Sequence, residues 1–326
     1  MTGYWQPYIG YAWVFVLALI FLTYLVLDGL VSGIGMLSLW IREPRLRKEM
    51  VESFSGVWHA HQTWLVVFAG LLFGSFPMVF GRMLPFLYLP VFLLIVGIAI
   101  RGISLELLEL NESPGLWTFL FSLGSIILTF SQALLAVFTL KVIYYYAFFQ
   151  FPASALPGNV FTLGLTLTLI FSYILFGATY LITKTSGDSE SLFYAVARKA
   201  SSALVVTVAC VIVLLGIPRP QHPLILYTAF GIALLLSVIL FRCLTHGKKK
   251  PLFFLAVFSF ISLSFALFST YPGFIPALSS ISLFVSSPRS QYVMLIVFCL
   301  ILPVIIMYNV FQYRVFLGEA RKNAGS

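Results

Sequence analysis

Nine apolar runs alternate with short polar segments along the chain, at about 11–41, 57–81, 84–107, 117–149, 161–183, 201–217, 224–244, 252–271 and 292–316. A helix rises about 1.5 Å per residue, so roughly 20 apolar residues cross a bilayer, and most of these runs reach that length. No run sustains the period-two alternation of a membrane barrel strand. The pattern predicts an all-α polytopic membrane protein with nine transmembrane helices. The breaks carry turn and charge signals. They are the basic segment Arg42–Lys48, the loop with Pro152, Pro157 and Gly158, the polar stretch Lys184–Lys199 (predicted to be partly helical), Pro218 and Pro220, Lys248–Lys250, and the segment with Pro272, Pro276 and Pro288. Such short connections favour antiparallel neighbours and bundle packing. Gly29, Gly33 and Gly35 in the first run allow close helix packing or a bend.

Composition sharpens this picture. Hydrophobic residues make up 61% and charged residues 9% of the chain, whereas a soluble domain is about 25% charged. The net charge of +9 does not point to nucleic acid, because the cations fall mostly between or at the ends of apolar runs, with Arg101 and Lys141 inside them. Numbering the connections alternately puts Arg42, Arg45, Arg47, Lys48, Lys184, Arg198, Lys199, Arg242, Lys248, Lys249, Lys250, Arg314, Arg321 and Lys322 on one side, and only Arg82, Arg219 and Arg289 on the other. The positive-inside rule then predicts an outside N-terminus and a cytoplasmic C-terminus. The first run is too long, and lacks the basic start, for a cleavable signal peptide. Cys210, Cys243 and Cys299 are far apart, each in an apolar run, with no metal-ligand or redox spacing.

Charge is costly in hydrocarbon, so ionisable residues inside the runs are functional candidates. Asp28, His59, His61, Arg101 and Glu106 all fall in the first three runs, near the side predicted to be cytoplasmic. One reading is a proton relay, in which Glu106 or His59 collects a proton and Asp28 passes it inward. The other is an Asp28–Arg101 ion pair that locks helices together, with both histidines interfacial. Lys141 is expected to snorkel, Tyr144–Tyr146 to form an interfacial belt, and Ser131 and Gln132 to bond across helices. His222 and His246 read as solvated loop residues. There is no catalytic triad, phosphate loop or metal spacing.

Several stretches taken together resemble a known pattern. They are Leu27-Asp28-Gly29 with Gly33-Ile34-Gly35-Met36-Leu37, and Val57-Trp58-His59-Ala60-His61-Gln62-Thr63-Trp64-Leu65. Phe73–Pro77, Leu87–Pro90, Arg101-Gly102, Gly177–Leu181 with Lys184–Gly187, Tyr271-Pro272, Ile275-Pro276, Ser287-Pro288 and Leu302-Pro303 follow in order. In these residues the chain resembles subunit II of cytochrome bd-type quinol oxidase.

The resemblance implies two four-helix bundles, at about 9–150 and 161–271, and one peripheral helix at about 292–316, within a single integral membrane domain over 1–326. It implies a haem-bearing subunit I as partner, with b- and d-type haems held there and none bound by this chain. The complex would oxidise quinol, reduce O2 and take protons from the cytoplasm, in the plasma membrane of a bacterium or archaeon. In some members subunit II supplies a proton path, an oxygen path or a structural quinone site, and a small accessory subunit is a further partner the resemblance leaves open. It makes Trp64 an oxygen-access candidate, with packing in an apolar core as the alternative. All four histidines are predicted near water, which fits a subunit without buried haem ligands. The chain departs from the family where Val31 replaces a second acid, and where His59-Ala60-His61 replaces Asp-Gly-Asn. His59 could take over from the lost acid, or the path could be silent. A proton-coupled secondary transporter and a purely structural membrane subunit remain the competing functions.

Overall fold

The computed structural model describes residues 6–41, 43–54, 58–110, 114–148, 159–214, 223–269 and 285–323. Arg42, the proline loop at 152–158, Arg219 and His222, and the segment 272–284 lie outside the described residues. Among the described residues the secondary structure is entirely helical, in ten helices. They are α1 (Gln6–Ser38), α2 (Pro44–Glu52), α3 (Trp58–Ser75), α4 (Pro77–Glu109), α5 (Pro114–Phe148), α6 (Asn159–Lys184), α7 (Asp188–Leu214), α8 (Pro223–Thr245), α9 (Leu252–Ser269) and α10 (Pro288–Asn323).

Proline opens five of them, at Pro44, Pro77, Pro114, Pro223 and Pro288. The first helical position needs no N–H partner, and the ring presets φ there. Pro77 also decides a boundary. The sequence predicts a break near Arg82, but α4 already runs through it. The break is at Phe76, whose N–H still bonds to Leu72 O at 2.9 Å while its own carbonyl accepts from Phe80 N–H at 2.9 Å. Pro77 has no N–H to continue α3, so the ladder restarts there. A second boundary moves as well. The polar stretch before Ser201 belongs to α7, with Phe193, Ala197 and Ala200 buried and Arg198 and Lys199 exposed. That spacing is one apolar face of an amphipathic helix, and Asp188 and Glu190 in its first turn suit the helix dipole.

Seven stretches within these helices are long and apolar enough to cross a membrane: Ile9–Ser38, Met83–Leu108, Gly115–Thr139, Thr162–Lys184, Asp188–Val211, Thr228–Thr245 and Pro288–Gln312. Two of the nine predicted spans fall short by this measure. The 18 residues of α3 begin with His59, His61 and Gln62, which dilute its apolar half. In α9 the apolar part is the shorter Leu252–Ala266.

Contacts group the chain into two compact units. The first comprises Met1–Asp28, Glu52–Phe86 and Pro276–Ser326. Its core is Trp13, Leu17 and Ile20 of α1 with Leu71 of α3 and Phe76, lined by Trp64, Val67, Phe68, Met294 and Phe298. Trp13 meets Phe298 edge-on at 6.0 Å, and Phe21 packs on Phe68 at 4.8 Å. Helix α10 packs on α3, yet only 11% of its spanning window is buried by the chain.

The second unit comprises Gly29–Val51 and Leu87–Ile275. Helix α6 is its centre, packed on α5, α7 and α9, with α8 against α7 and α9. Tyr173, Phe176, Phe253 and Phe260 form its aromatic core. The C-terminal end of α1 reaches this core through glycine. A methyl group at Gly33 would overlap the Tyr173 carbonyl, and one at Gly177 would sit 2.8 Å from Ile34 N. Backbone touches backbone here, which only a residue without Cβ permits. Helices α4 and α5 approach in the same way, since a Cβ at Gly124 would lie 2.8 Å from Arg101 N.

Candidate functional site

Asp28 lies on α1 and is fully buried. Its Oδ1 accepts a hydrogen bond of 2.7 Å from Gln62 Nε2, on the second turn of α3. A buried carboxylate is costly unless hydrogen-bonded, and the amide supplies one such bond. The Oε1 of Gln62 is itself buried, with no hydrogen-bond partner among the described residues. His61, one residue earlier, is fully buried. This corrects the expectation that all the histidines lie near water: the first turn of α3 buries Trp58, Ala60 and His61 and leaves His59 outside. His59 is exposed and stacks on Trp58 with ring centroids 3.7 Å apart. His246 is exposed at the end of α8, as expected.

Trp64 lies two residues beyond Gln62. It is half-buried, packs against the Trp13–Leu71 core, and donates its indole N–H to Asn309 Oδ1 of α10 at 3.4 Å. Asn309 is anchored in turn, its Nδ2 donating to Ile305 O at 2.8 Å. The first unit thus brings together Asp28 with Gln62, and Trp64 with Asn309.

In the second unit Arg101 is fully buried on α4 and donates to Ser32 Oγ at 2.9 Å. Nearby on α1 and α5, Ser122 donates to the Gly35 carbonyl and lies 3.4 Å from Ser38 Oγ. Glu106, in the last turn and a half of α4, is exposed. Further along the bundle Tyr173 donates to Gln132 Oε1 at 2.6 Å, the cross-helix role expected of Gln132. Ser131 bonds within its own helix instead, to Leu128 O.

Three polar participants escaped the sequence reading as site residues: Gln62, Ser32 and Asn309. Each is a polar side chain in an otherwise apolar helix, which was the available signal. Among the described residues no group of three or more His, Cys, Asp or Glu is arranged to hold a metal ion.

A model of the family described as cytochrome bd terminal oxidase subunit II matches residues 9–316. The chain belongs to that family. Subunit 2 of the cytochrome bd ubiquinol oxidase of Bacillus subtilis is 24% identical over 212 residues, 60% of this chain and 60% of that protein. Subunit 2 of cytochrome bd-I ubiquinol oxidase of Escherichia coli is 26% identical over 217 residues, 61% of this chain and 54% of that protein. The matched stretches therefore span only about half to three-fifths of those relatives' length. A chain in the structure of bd oxidase from Geobacillus thermodenitrificans superposes with a TM-score of 0.69, covering 95% of this chain and 98% of that one at 18% identity. That likeness concerns the fold. Family membership makes this an integral membrane protein of the bd oxidase type, and its apolar helices agree.

Proposed function

We propose that this family member is the haem-free subunit of a bd-type quinol oxidase, a complex that oxidises quinol and reduces O2 in a prokaryotic plasma membrane. The observation that carries the reading is the family match across nearly the whole chain, residues 9–316. In this reading the chain scaffolds a haem-bearing subunit I, which holds the b- and d-type haems and the quinol site. A structural quinone and a small accessory subunit belong to the same expectation. The nine helices of 18 or more residues all span, arranged as two four-helix bundles (about 9–150 and 161–271) and a peripheral helix (about 292–316). The sparsely buried α10 supports the last assignment. The cation distribution supports an outside N-terminus and a cytoplasmic C-terminus.

The chain also conducts cytoplasmic protons through Asp28. A carboxyl group relays by accepting a proton on one oxygen and releasing it again, and a histidine does so through its two ring nitrogens. The burial of Asp28, its bond to Gln62 and the burial of His61 nearby on α3 support this role. Exposed His59 suits the collecting end, and Arg101 and the exposed Glu106, which belong to the second unit, are proposed as further members. Trp64, in an apolar core, is proposed as an oxygen-access residue.

The scaffold-only reading has its own support in the backbone contact of Gly33 and Gly177. One experiment separates the two: Asp28→Asn combined with His59→Phe in the assembled oxidase, with haem content, O2 consumption and proton uptake measured in proteoliposomes. Conduction predicts unchanged haem content and proton uptake slowed by about a hundredfold, the low end of what a positioned proton carrier contributes. Unchanged uptake and O2 consumption would leave scaffolding alone.

A further inference from the structure

The turn between α8 and α9 is built with more order than a charged loop needs. Arg242 stands in the last turn of α8. Gly247 then adopts φ +67°, and Lys248 N–H bonds back to Cys243 O at 3.1 Å. This is the six-to-one bond of a Schellman cap, in which glycine takes the left-handed position. Leu252 N–H bonds to Lys249 O at 3.3 Å and closes the turn. Lys248, Lys249 and Lys250 are therefore held on a defined backbone. Lys249 is engaged, its Nζ 2.6 Å from Glu190 at the start of α7. Arg242, Lys248 and Lys250 are exposed, and none has an acidic partner among the described residues.

Directly next to these cations the surface turns apolar. Helix α8 exposes Val238, Ile239 and Phe241, and α9 exposes Phe254 and Phe258. Phe258 lies eight residues beyond Lys250, roughly 12 Å along a helix. A ligand suited to this surface carries negative charge at one end and hydrocarbon at the other. Orienting the chain in the membrane requires cations on one side, but it requires neither a capped turn nor an adjoining aromatic strip.

We propose that the α8–α9 turn binds an anionic phospholipid. Arg242, Lys248 and Lys250 hold the headgroup phosphate, and the acyl chains lie along Phe254 and Phe258. The Lys249–Glu190 pair ties the turn to α7 and sets its position. The site is independent of proton conduction and of the redox reaction.

The test uses the assembled membrane complex, purified in mild detergent and exchanged with phosphatidylglycerol or phosphatidylcholine, with retained lipid counted by native mass spectrometry. Each cation facing an anionic headgroup contributes about fivefold. The double variant Lys248→Gln/Lys250→Gln should therefore retain roughly 25-fold less phosphatidylglycerol. Arg198→Gln/Lys199→Gln removes two exposed cations of α7 and should change nothing. Inorganic phosphate at matched concentration should fail to displace the lipid, since it lacks acyl chains. Equal retention by the Lys248/Lys250 variant overturns the proposal. So does equal loss in the α7 control, no preference over phosphatidylcholine, or displacement by phosphate alone. All four residues changed are exposed, and circular dichroism of each complex checks that the fold persists.

Discussion

Helix α1 meets its neighbours in two different ways. Up to Asp28 its contacts in the first unit are made by side chains: Trp13 on Phe298, Phe21 on Phe68, and one carboxylate on the Gln62 amide. From Gly29 onward, in the second unit, the closest approaches are made by backbone, Gly33 on the Tyr173 carbonyl and Gly35 on Ser122 and Ser125, beside the side-chain bond of Ser32 with Arg101. Lipid is as apolar as leucine, so burial of hydrocarbon does little to hold helices together inside a membrane. Close backbone approach and interhelical hydrogen bonds take over that role. The side-chain region can adjust. The backbone region has no slack, and its register is set by where the glycines fall.

The sharpest way to break this contrast is to add one methyl group. Gly33→Ala should cost about 3 kcal/mol or more, beyond the usual overpacking range, because a carbonyl cannot step aside as a side-chain tip does. Gly70→Ala on α3, with open space around the position, should leave stability unchanged or slightly raised. Thermal unfolding and the yield of assembled complex read both, and equal behaviour would remove the distinction. The next effect is smaller. Tyr173→Phe deletes the 2.6 Å bond to Gln132 in the second unit and should cost about 0.6–1.7 kcal/mol, the span of interhelical bonds in lipid. The smallest belongs to the first unit. Trp64→Phe removes a bond of 3.4 Å while keeping an aromatic ring, and should cost about 0.6 kcal/mol or less. A Trp64→Phe loss larger than that of Tyr173→Phe, measured in the same detergent, would invert the proposed order of the two regions.

Much of the architecture could be read from periodicity and punctuation. The apolar runs located every long helix among the described residues, whereas the prolines at 44, 77, 114, 223 and 288 are seen to open helices only in the structure. Two boundaries differ from the sequence expectation, at places where charge suggests a break. Arg82 lies within α4, and Arg198 and Lys199 ride on α7. Charge does not stop a helix: the long stem of Arg or Lys carries the charged head away from the backbone, and the hydrogen-bond ladder continues beneath it.

The ionisable candidates were visible because charges are rare in such a chain. Their surroundings were not visible. Asp28 and Arg101 are fully buried, while His59 and Glu106 are exposed. His59 and His61 are two residues apart on one helix, about 200° around its axis, so one is covered and the other is not. Gln62 and Asn309 drew no attention as site residues because an amide carries no charge, and its worth depends on what faces it.

The sequence by itself determined that this is a helical membrane protein of one particular family. Long apolar runs have few ways to satisfy their backbone in lipid, and helices are the one that suits them. Tertiary structure decided which polar groups meet: Asp28 with Gln62, Trp64 with Asn309, Arg101 with Ser32, Tyr173 with Gln132. The partners are separated by 34 to 245 residues. Hydropathy along the chain carries no information about which helix face turns toward which neighbour, so those pairings come only from the packing.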